Sequence, residues 1–173
     1  MTTLKQFHWF WAWDDEKEEA WLGEMARKGW HFKSVMVPGF YTFESGEPRN
    51  DVYRLDFFTN YRAKADYVQL FMDAGWDYMG EMGSWQYFRI EANQGDNPEI
   101  YSDNNSKMIK YRRIITVLLI FNPIYIVLLS RRSPDDGWFE LILTIVLLLI
   151  EFVYIYAFIK LIQRIRQLQR IRE

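Results

Sequence analysis

Two stretches of this 173-residue chain are too apolar to face water. Residues 114–130 (IITVLLIFNPIYIVLLS) and 139–162 (FELILTIVLLLIEFVYIYAFIKLI) are almost uninterrupted hydrophobic runs. A helix needs about 20 such residues to cross roughly 30 Å of hydrocarbon. A lone strand cannot cross, because its backbone groups would lie unpaired in lipid. The pattern predicts transmembrane helices over 111–130 and 139–162, inserted together as a hairpin spanning 111–162. Residues 1–6 show no basic stretch leading into an apolar core and cleavage site, so no signal peptide is read there.

Lys and Arg flanks set the orientation of such a hairpin, because they are retained on the cytoplasmic side. Lys107, Lys110, Arg112 and Arg113 precede the first run, and Lys160, Arg164, Arg166, Arg170 and Arg172 end or follow the second. The connecting loop sets Arg131 and Arg132 against Asp135, Asp136 and Glu140. Both chain ends are therefore expected in the cytoplasm, with the protein in the plasma membrane as a two-helix, multi-pass chain.

The net charge of −2 conceals an asymmetry. Residues 1–106 hold 10 Lys+Arg against 18 Asp+Glu, a net of −8, and the remainder holds 11 against 5, a net of +6. An acidic unit is a poor nucleic-acid binder, since phosphate contacts need clustered Lys and Arg. The basic remainder suits an anionic lipid surface. The chain contains no Cys, which excludes disulfides, thiol catalysis and Cys-ligated metals.

The soluble part carries an internal repeat at an offset of 46 residues. AWLGEMARKGW (20–30) aligns with DYVQLFMDAGW (66–76), placing Trp21 on Tyr67, Leu22 on Val68, Met25 on Phe71, Gly29 on Gly75 and Trp30 on Trp76. Outward, Phe7, Trp9 and Trp11 fall on Tyr53, Leu55 and Phe57, and Tyr41 on Tyr87. Each copy is expected to run strand, helix, strand, with Asp14 or Asp15 capping the first helix and Gly29 and Gly75 stopping the two helices. Two such units predict an α+β, ferredoxin-like βαββαβ sandwich over residues 1–90, with one four-stranded antiparallel sheet and two helices on one face. A polar juxtamembrane linker (91–110) would join it to the hairpin. A basic amphipathic tail (163–173), continuing the helical spacing of Leu161, Ile165 and Leu168 with Ile162 and Ile171 nearby, would lie on the inner leaflet, with pairing to a partner helix as the alternative.

In the strand DVYRLDFF, Tyr53, Leu55 and Phe57 alternate with Arg54 and Asp56, so the apolar set should face the core. The repeat register assigns Phe7, Trp9 and Trp11 to the same side. His8, Phe10, Arg54, Asp56 and Phe58 would then share an open sheet face, a candidate interaction surface for a protein partner or a second copy of the chain. A small apolar ligand is the alternative occupant.

The segments DDEKEEAWLGEMARKGWHF, FYTFESGEPRNDVYRLDF, YVQLFMDAGWDYMGEMGSWQYFR and EIYSD together resemble the bacterial family catalogued as domain of unknown function 2812. The resemblance covers nearly all of residues 5–105. It implies a cytoplasmic module of Gram-positive bacteria followed by transmembrane helices, with a PadR-type transcriptional repressor as a partner by context. The family has no established biochemical activity, so no catalytic residue is carried over.

Chemistry is sparse. The two histidines, His8 and His31, have neither Cys nor HExxH spacing beside them. GEMGSW (80–85) precedes a strand rather than a helix, which removes the usual phosphate geometry. The acids between residues 14 and 19 are accounted for by a helix N-terminus, whose dipole they oppose. No catalytic residue, cofactor or metal is expected. Inside the second apolar run Glu151 is costly in hydrocarbon, and it is expected to meet Asn122, or the backbone carbonyl freed by Pro123, across the hairpin. The sequence thus points to a membrane-tethered, non-catalytic signalling or regulatory module. The alternative is a small-molecule sensor or an accessory subunit of a membrane transporter.

Overall fold

The structure, a computed structural model, describes residues 2–93, 98–101, 104–130 and 137–170. The loop charges Arg131, Arg132, Asp135 and Asp136, and Arg172 and Ile171 of the tail, lie outside them. The chain forms two compact units, Met1–Ser106 and Lys107–Glu173.

Among the described residues the first unit holds six strands rather than four. In order they are β1 (Thr3–Phe7), α1 (Asp15–Arg27), β2 (Trp30–Met36), β3 (Phe40–Ser45), β4 (Asp51–Phe57), a 3₁₀ turn (Tyr61–Ala63), α2 (Lys64–Asp73), β5 (Asp77–Met82) and β6 (Trp85–Glu91). Each copy of the repeat is therefore βαββ, and each closes its own three-stranded antiparallel sheet, ordered β1-β3-β2 and β4-β6-β5. This replaces the expected four-stranded ferredoxin-like sheet. The strands expected at its outside, β3 and β6, are the central strands of the two sheets.

The helix stops fall where the sequence puts them. Gly29 and Gly75 have φ of +80° and +90°, the left-handed region that ends a helix without a Cβ clash. At Gly29 a Cβ would stand 2.6 Å from the Gly46 carbonyl oxygen, so the position is closed to other residues. Asp14 stands at the N-cap of α1, one of the two positions expected, but its side chain makes no capping hydrogen bond.

One core joins both sheets through α1. Leu22, Met25 and Ala26 of α1 pack with Phe32 and Val35 of β2, Tyr41 and Phe43 of β3, Tyr53 and Leu55 of β4, and Tyr87 of β6. A second cluster, Phe71, Trp76 and Phe88, lies under α2 with Val52, Tyr67 and Ile90 packed around it. The second sheet is thus covered on both faces, which explains why β6 is buried at Gln86, Tyr87 and Phe88 in succession instead of alternating.

β4 is an edge strand, and α1 lies along its open side. The Leu55 amide donates to Glu19 Oε1 at 2.8 Å, and Glu19 Oε2 sits 3.4 Å from Arg54 Nη1. A side chain here supplies what a neighbouring strand would otherwise give an edge amide.

Among the described residues the second unit holds α4 (Trp138–Arg170) and all of α3 (Asn104–Ser130) after Ser106. Both are long and apolar enough to cross a membrane, with windows of mean hydropathy 1.5 and 2.6, and almost none of either window is buried in protein. α4 runs unbroken into the residues expected to form a separate tail, and Arg164 Nε donates to the Tyr111 hydroxyl of α3 at 3.4 Å.

Candidate functional site

The face expected to gather His8, Phe10, Arg54, Asp56 and Phe58 does not exist. β1 ends at Phe7, and Phe7, Trp9 and Trp11, expected in the core, are 54%, 50% and 43% exposed. His8 and Phe10 turn inward instead. Their rings stack at 4.3 Å, both pack on Trp21, and Phe10 also meets Tyr41 edge-on.

The other three residues lie apart from them, Arg54 on its own partners and Asp56 and Phe58 both on Tyr67. Arg54 pairs with Glu19 and Glu99, and Asp56 is fully buried and accepts from the Tyr67 hydroxyl. Phe58 stacks on the Tyr67 ring at 3.9 Å.

The inversion has a definite cause. β3 pairs with β1 so that Phe43 faces Leu4, and β6 pairs with β4 so that Arg89 faces Tyr53. Phe43 and Arg89 are 46 apart, but Leu4 and Tyr53 are 49 apart. The first strand has slipped three residues against the helical register, and an odd slip turns every side chain to the other face.

The same slip lengthens the connection from β1 to α1, and that connection walls a cavity. Trp9, Phe10, Trp11 and Ala12 from the loop, Val37 and Pro38 from the β2–β3 turn, and Met82 and Trp85 from the β5–β6 hairpin line a half-open cavity of about 250 Å³. Asp15 and Glu18, from the first turn of α1, complete the lining. The wall is braced by rings: Trp11 is stacked on Trp13 at 5.2 Å and meets Trp9 edge-on at 5.5 Å. Gly39 lets the loop close, because its φ is +146° and a Cβ there would lie 2.3 Å from the His8 carbonyl oxygen, which accepts no such neighbour.

The two acids are not solvated helix-dipole charges. Asp15 is 1% exposed and Glu18 is 6% exposed, on the same helical stripe as Leu22 and Met25. Glu18 Oε1 accepts from the Tyr41 hydroxyl at 2.7 Å and from the Tyr87 hydroxyl at 2.6 Å. The repeat pairs these two tyrosines with each other, so one carboxylate ties β3 of the first sheet to β6 of the second. The position matching Glu18 in the second copy is Lys64, which pairs with Glu81 at 2.6 Å. Only the first copy carries a carboxylate there.

Burial pushes the Glu18 carboxyl above the ordinary carboxylate range; the two phenol hydrogen bonds pull it partly back, and nearby Asp15 adds to the rise. Burial, with the Glu18 charge beside them, likewise raises Tyr41 and Tyr87. A carboxylate whose folded-state pKa lies above its ordinary 4.5 costs stability once the pH exceeds that value, because the unfolded chain releases the proton more easily. Glu18→Gln keeps an oxygen for both phenols and removes the charge. We expect it to raise the melting temperature of the full chain at pH 7.5, with the gain shrinking to nothing as the pH falls below about 4.5. Equal melting of the two proteins at pH 7.5 contradicts this account of Glu18.

Asp51 centres a second polar cluster. Its Oδ2 lies 3.3 Å from Arg49 Nη2 and 3.4 Å from Arg89 Nη1, and the Tyr53 hydroxyl is 3.5 Å away. Arg89 in turn pairs with Asp77. His31 Nδ1 accepts from Arg49 Nε at 3.2 Å and lies 3.9 Å from Asp51 Oδ2. Among the described residues no group of three or more His, Cys, Asp or Glu is arranged to hold a metal ion.

Between the long helices, Asn122 Nδ2 donates to both Glu151 oxygens, at 3.2 and 3.3 Å. The Tyr125 hydroxyl donates to the Leu147 carbonyl and the Tyr154 hydroxyl to the Leu118 carbonyl. The three contacts follow one antiparallel register. Pro123 lies inside α3 and frees the carbonyl four residues back, but Glu151 takes Asn122.

The sequence carried a signal for the buried acids. Asp15, Glu18, Leu22 and Met25 recur at helical spacing, so the acids lie on the apolar stripe rather than opposite it. No curated protein and no solved structure matches the chain. One family model does match, over residues 14–122, a span that includes α1, both acids, five of the six strands and α3 as far as Asn122. By that match the chain belongs to the family described as protein of unknown function (DUF2812).

Proposed function

We propose that this chain is a non-catalytic regulatory module, anchored in a bacterial plasma membrane by the α3–α4 hairpin, whose first unit receives a small molecule in its aromatic cavity. The observation that carries the reading is the cavity itself. Ligand sites are concave and mostly apolar, with a few placed polar groups, and here eight apolar residues surround two carboxylates. Catalysis would call for a nucleophile or base held against a partner of different chemistry; the polar lining is two acids. Occupancy has a direct route to the rest of the unit, since Glu18 holds β3 and β6 together.

In this reading the basic flanks keep both chain ends in the cytoplasm. Asn122 and Glu151 fix the register of the hairpin, which is the ordinary role of polar groups between membrane helices. The acidic first unit would engage a basic protein surface, and the family resemblance names a PadR-type repressor as one such partner. The test is a melting screen of the full chain in nanodiscs against small aromatic and aliphatic compounds. At least one compound should raise the melting temperature saturably, worth about 2.7 kcal/mol at 100 times its Kd. That shift should disappear in Trp85→Leu. A screen in which every shift survives the substitution refutes the reading.

A further inference from the structure

We infer that the cavity is built for a small organic cation, an aryl or alkyl ammonium, held between the indole faces of Trp9, Trp11 and Trp85 and the carboxylates of Asp15 and Glu18. The inference rests on the ligand-binding reading above and names its ligand class.

The lining has a consistent electrostatic sense. Three tryptophans and Phe10 line the cavity, and aromatic rings, Trp most strongly, attract cations through the ring quadrupole. Among the described residues both ionisable residues of the lining are acids, and none is Lys, Arg or His. An anion would meet two buried acids, and a neutral molecule would leave Glu18 with its two phenols alone.

Two of the other buried acids of this unit, Asp51 and Glu19, show what Glu18 is missing. Asp51 is matched by Arg49 and Arg89, and Glu19 by Arg54. Glu18 is held by two phenols, which donate hydrogen bonds and bring no positive charge. Its raised pKa is the mark of that deficit. In the second copy the matching position is itself a cation, Lys64. A buried acid kept at a cost to stability, on the wall of a cavity, is the trade that binding sites make.

Size and field agree. A volume of 250 Å³ falls just below the usual range of about 300–1,000 Å³ for ligand pockets, so the guest is small. The net charge of −8 on residues 1–106 draws cations toward the unit.

The experiment uses the full chain in neutral maltoside micelles and three probes sharing one ring: benzyltrimethylammonium, benzyl alcohol and phenylacetate. Trp9, Trp11 and Trp85 supply the readout through their fluorescence. The cation should quench saturably, with a Kd at least tenfold lower than that of benzyl alcohol, and phenylacetate should give no saturable change. Glu18→Gln should abolish the tenfold preference while leaving the benzyl alcohol Kd in place, and Trp9→Leu, at a half-exposed position, should weaken the cation without unfolding the chain. Equal affinity for cation and alcohol, or a preference that survives Glu18→Gln, overturns the cation assignment and leaves the cavity as a binding site for neutral ligands. Saturable binding by none of the three overturns the cation assignment, and the melting screen then decides the ligand-binding reading on its own.

Discussion

Asp51→Ala is expected to destabilise the first unit by about 3–5 kcal/mol, the usual cost of removing one partner from a buried ion pair. Asp51 is 1% exposed and opens β4, where it meets Arg49 from the preceding connection and Arg89 from β6. Without the carboxylate, Arg89 keeps Asp77, but its inner nitrogens face a protein interior with no anion. Arg89 Nε is already buried and unpaired among the described residues, so the site has no slack to absorb the loss. Asp51→Asn keeps the shape and one acceptor and should cost markedly less. For a unit of this size the alanine substitution corresponds to a fall in Tm on the order of 15 °C. Tryptophan fluorescence of the full chain in micelles, followed through thermal and urea unfolding, measures both variants; a loss under 1 kcal/mol for Asp51→Ala would show that the cluster is peripheral to stability.

Glu19→Ala should follow closely, at about 3 kcal/mol. The side chain does two things at once. Oε1 accepts the Leu55 amide at the open edge of β4, and Oε2 holds Arg54. Alanine leaves a buried backbone donor unsatisfied, which alone costs about 1–3 kcal/mol. Arg54 retains Glu99 at 3.3 Å and the Tyr53 carbonyl at 2.8 Å, so the charge is not abandoned. Glu19→Gln can still accept from Leu55 and should recover most of the loss. Amide hydrogen exchange at Leu55 is the direct measurement: it should accelerate in Glu19→Ala and stay near the native rate in Glu19→Gln, and an unchanged rate in the alanine variant rules out the edge role.

The distance between the sequence and the structure can be traced to particular residues. The 46-residue repeat, both helices and their glycine stops were legible, because helix periodicity and a left-handed stop are local properties. β2 and β5 were not. Each carries a bulge, at Phe32/Ser34 and at Tyr78/Gly80, positions that are themselves 46 apart. In β2 the bulge leaves Phe32 and Val35 as the buried pair, three residues apart, and period-2 alternation disappears from the sequence.

The candidate site was legible only in its ingredients. The aromatic run from Phe7 to Trp13 was conspicuous, but its division into Phe10 inward and Trp9 and Trp11 outward depends on how β1 pairs with β3. The same holds for Glu18. Its place on the apolar stripe is in the sequence, but the two phenols that hold it come from residues 23 and 69 positions away.

By itself, the sequence determined the duplicated unit, its acidic charge, the helix ends and two helices long and apolar enough to cross a membrane, because composition and local periodicity specify each of these. Tertiary structure alone decided that each copy closes its own three-stranded sheet, which face of β1 looks inward, and that Asp15 and Glu18 meet three tryptophans around one cavity. Those outcomes turn on strand register. A three-residue slip changes no local preference, and it reverses every side chain on the strand.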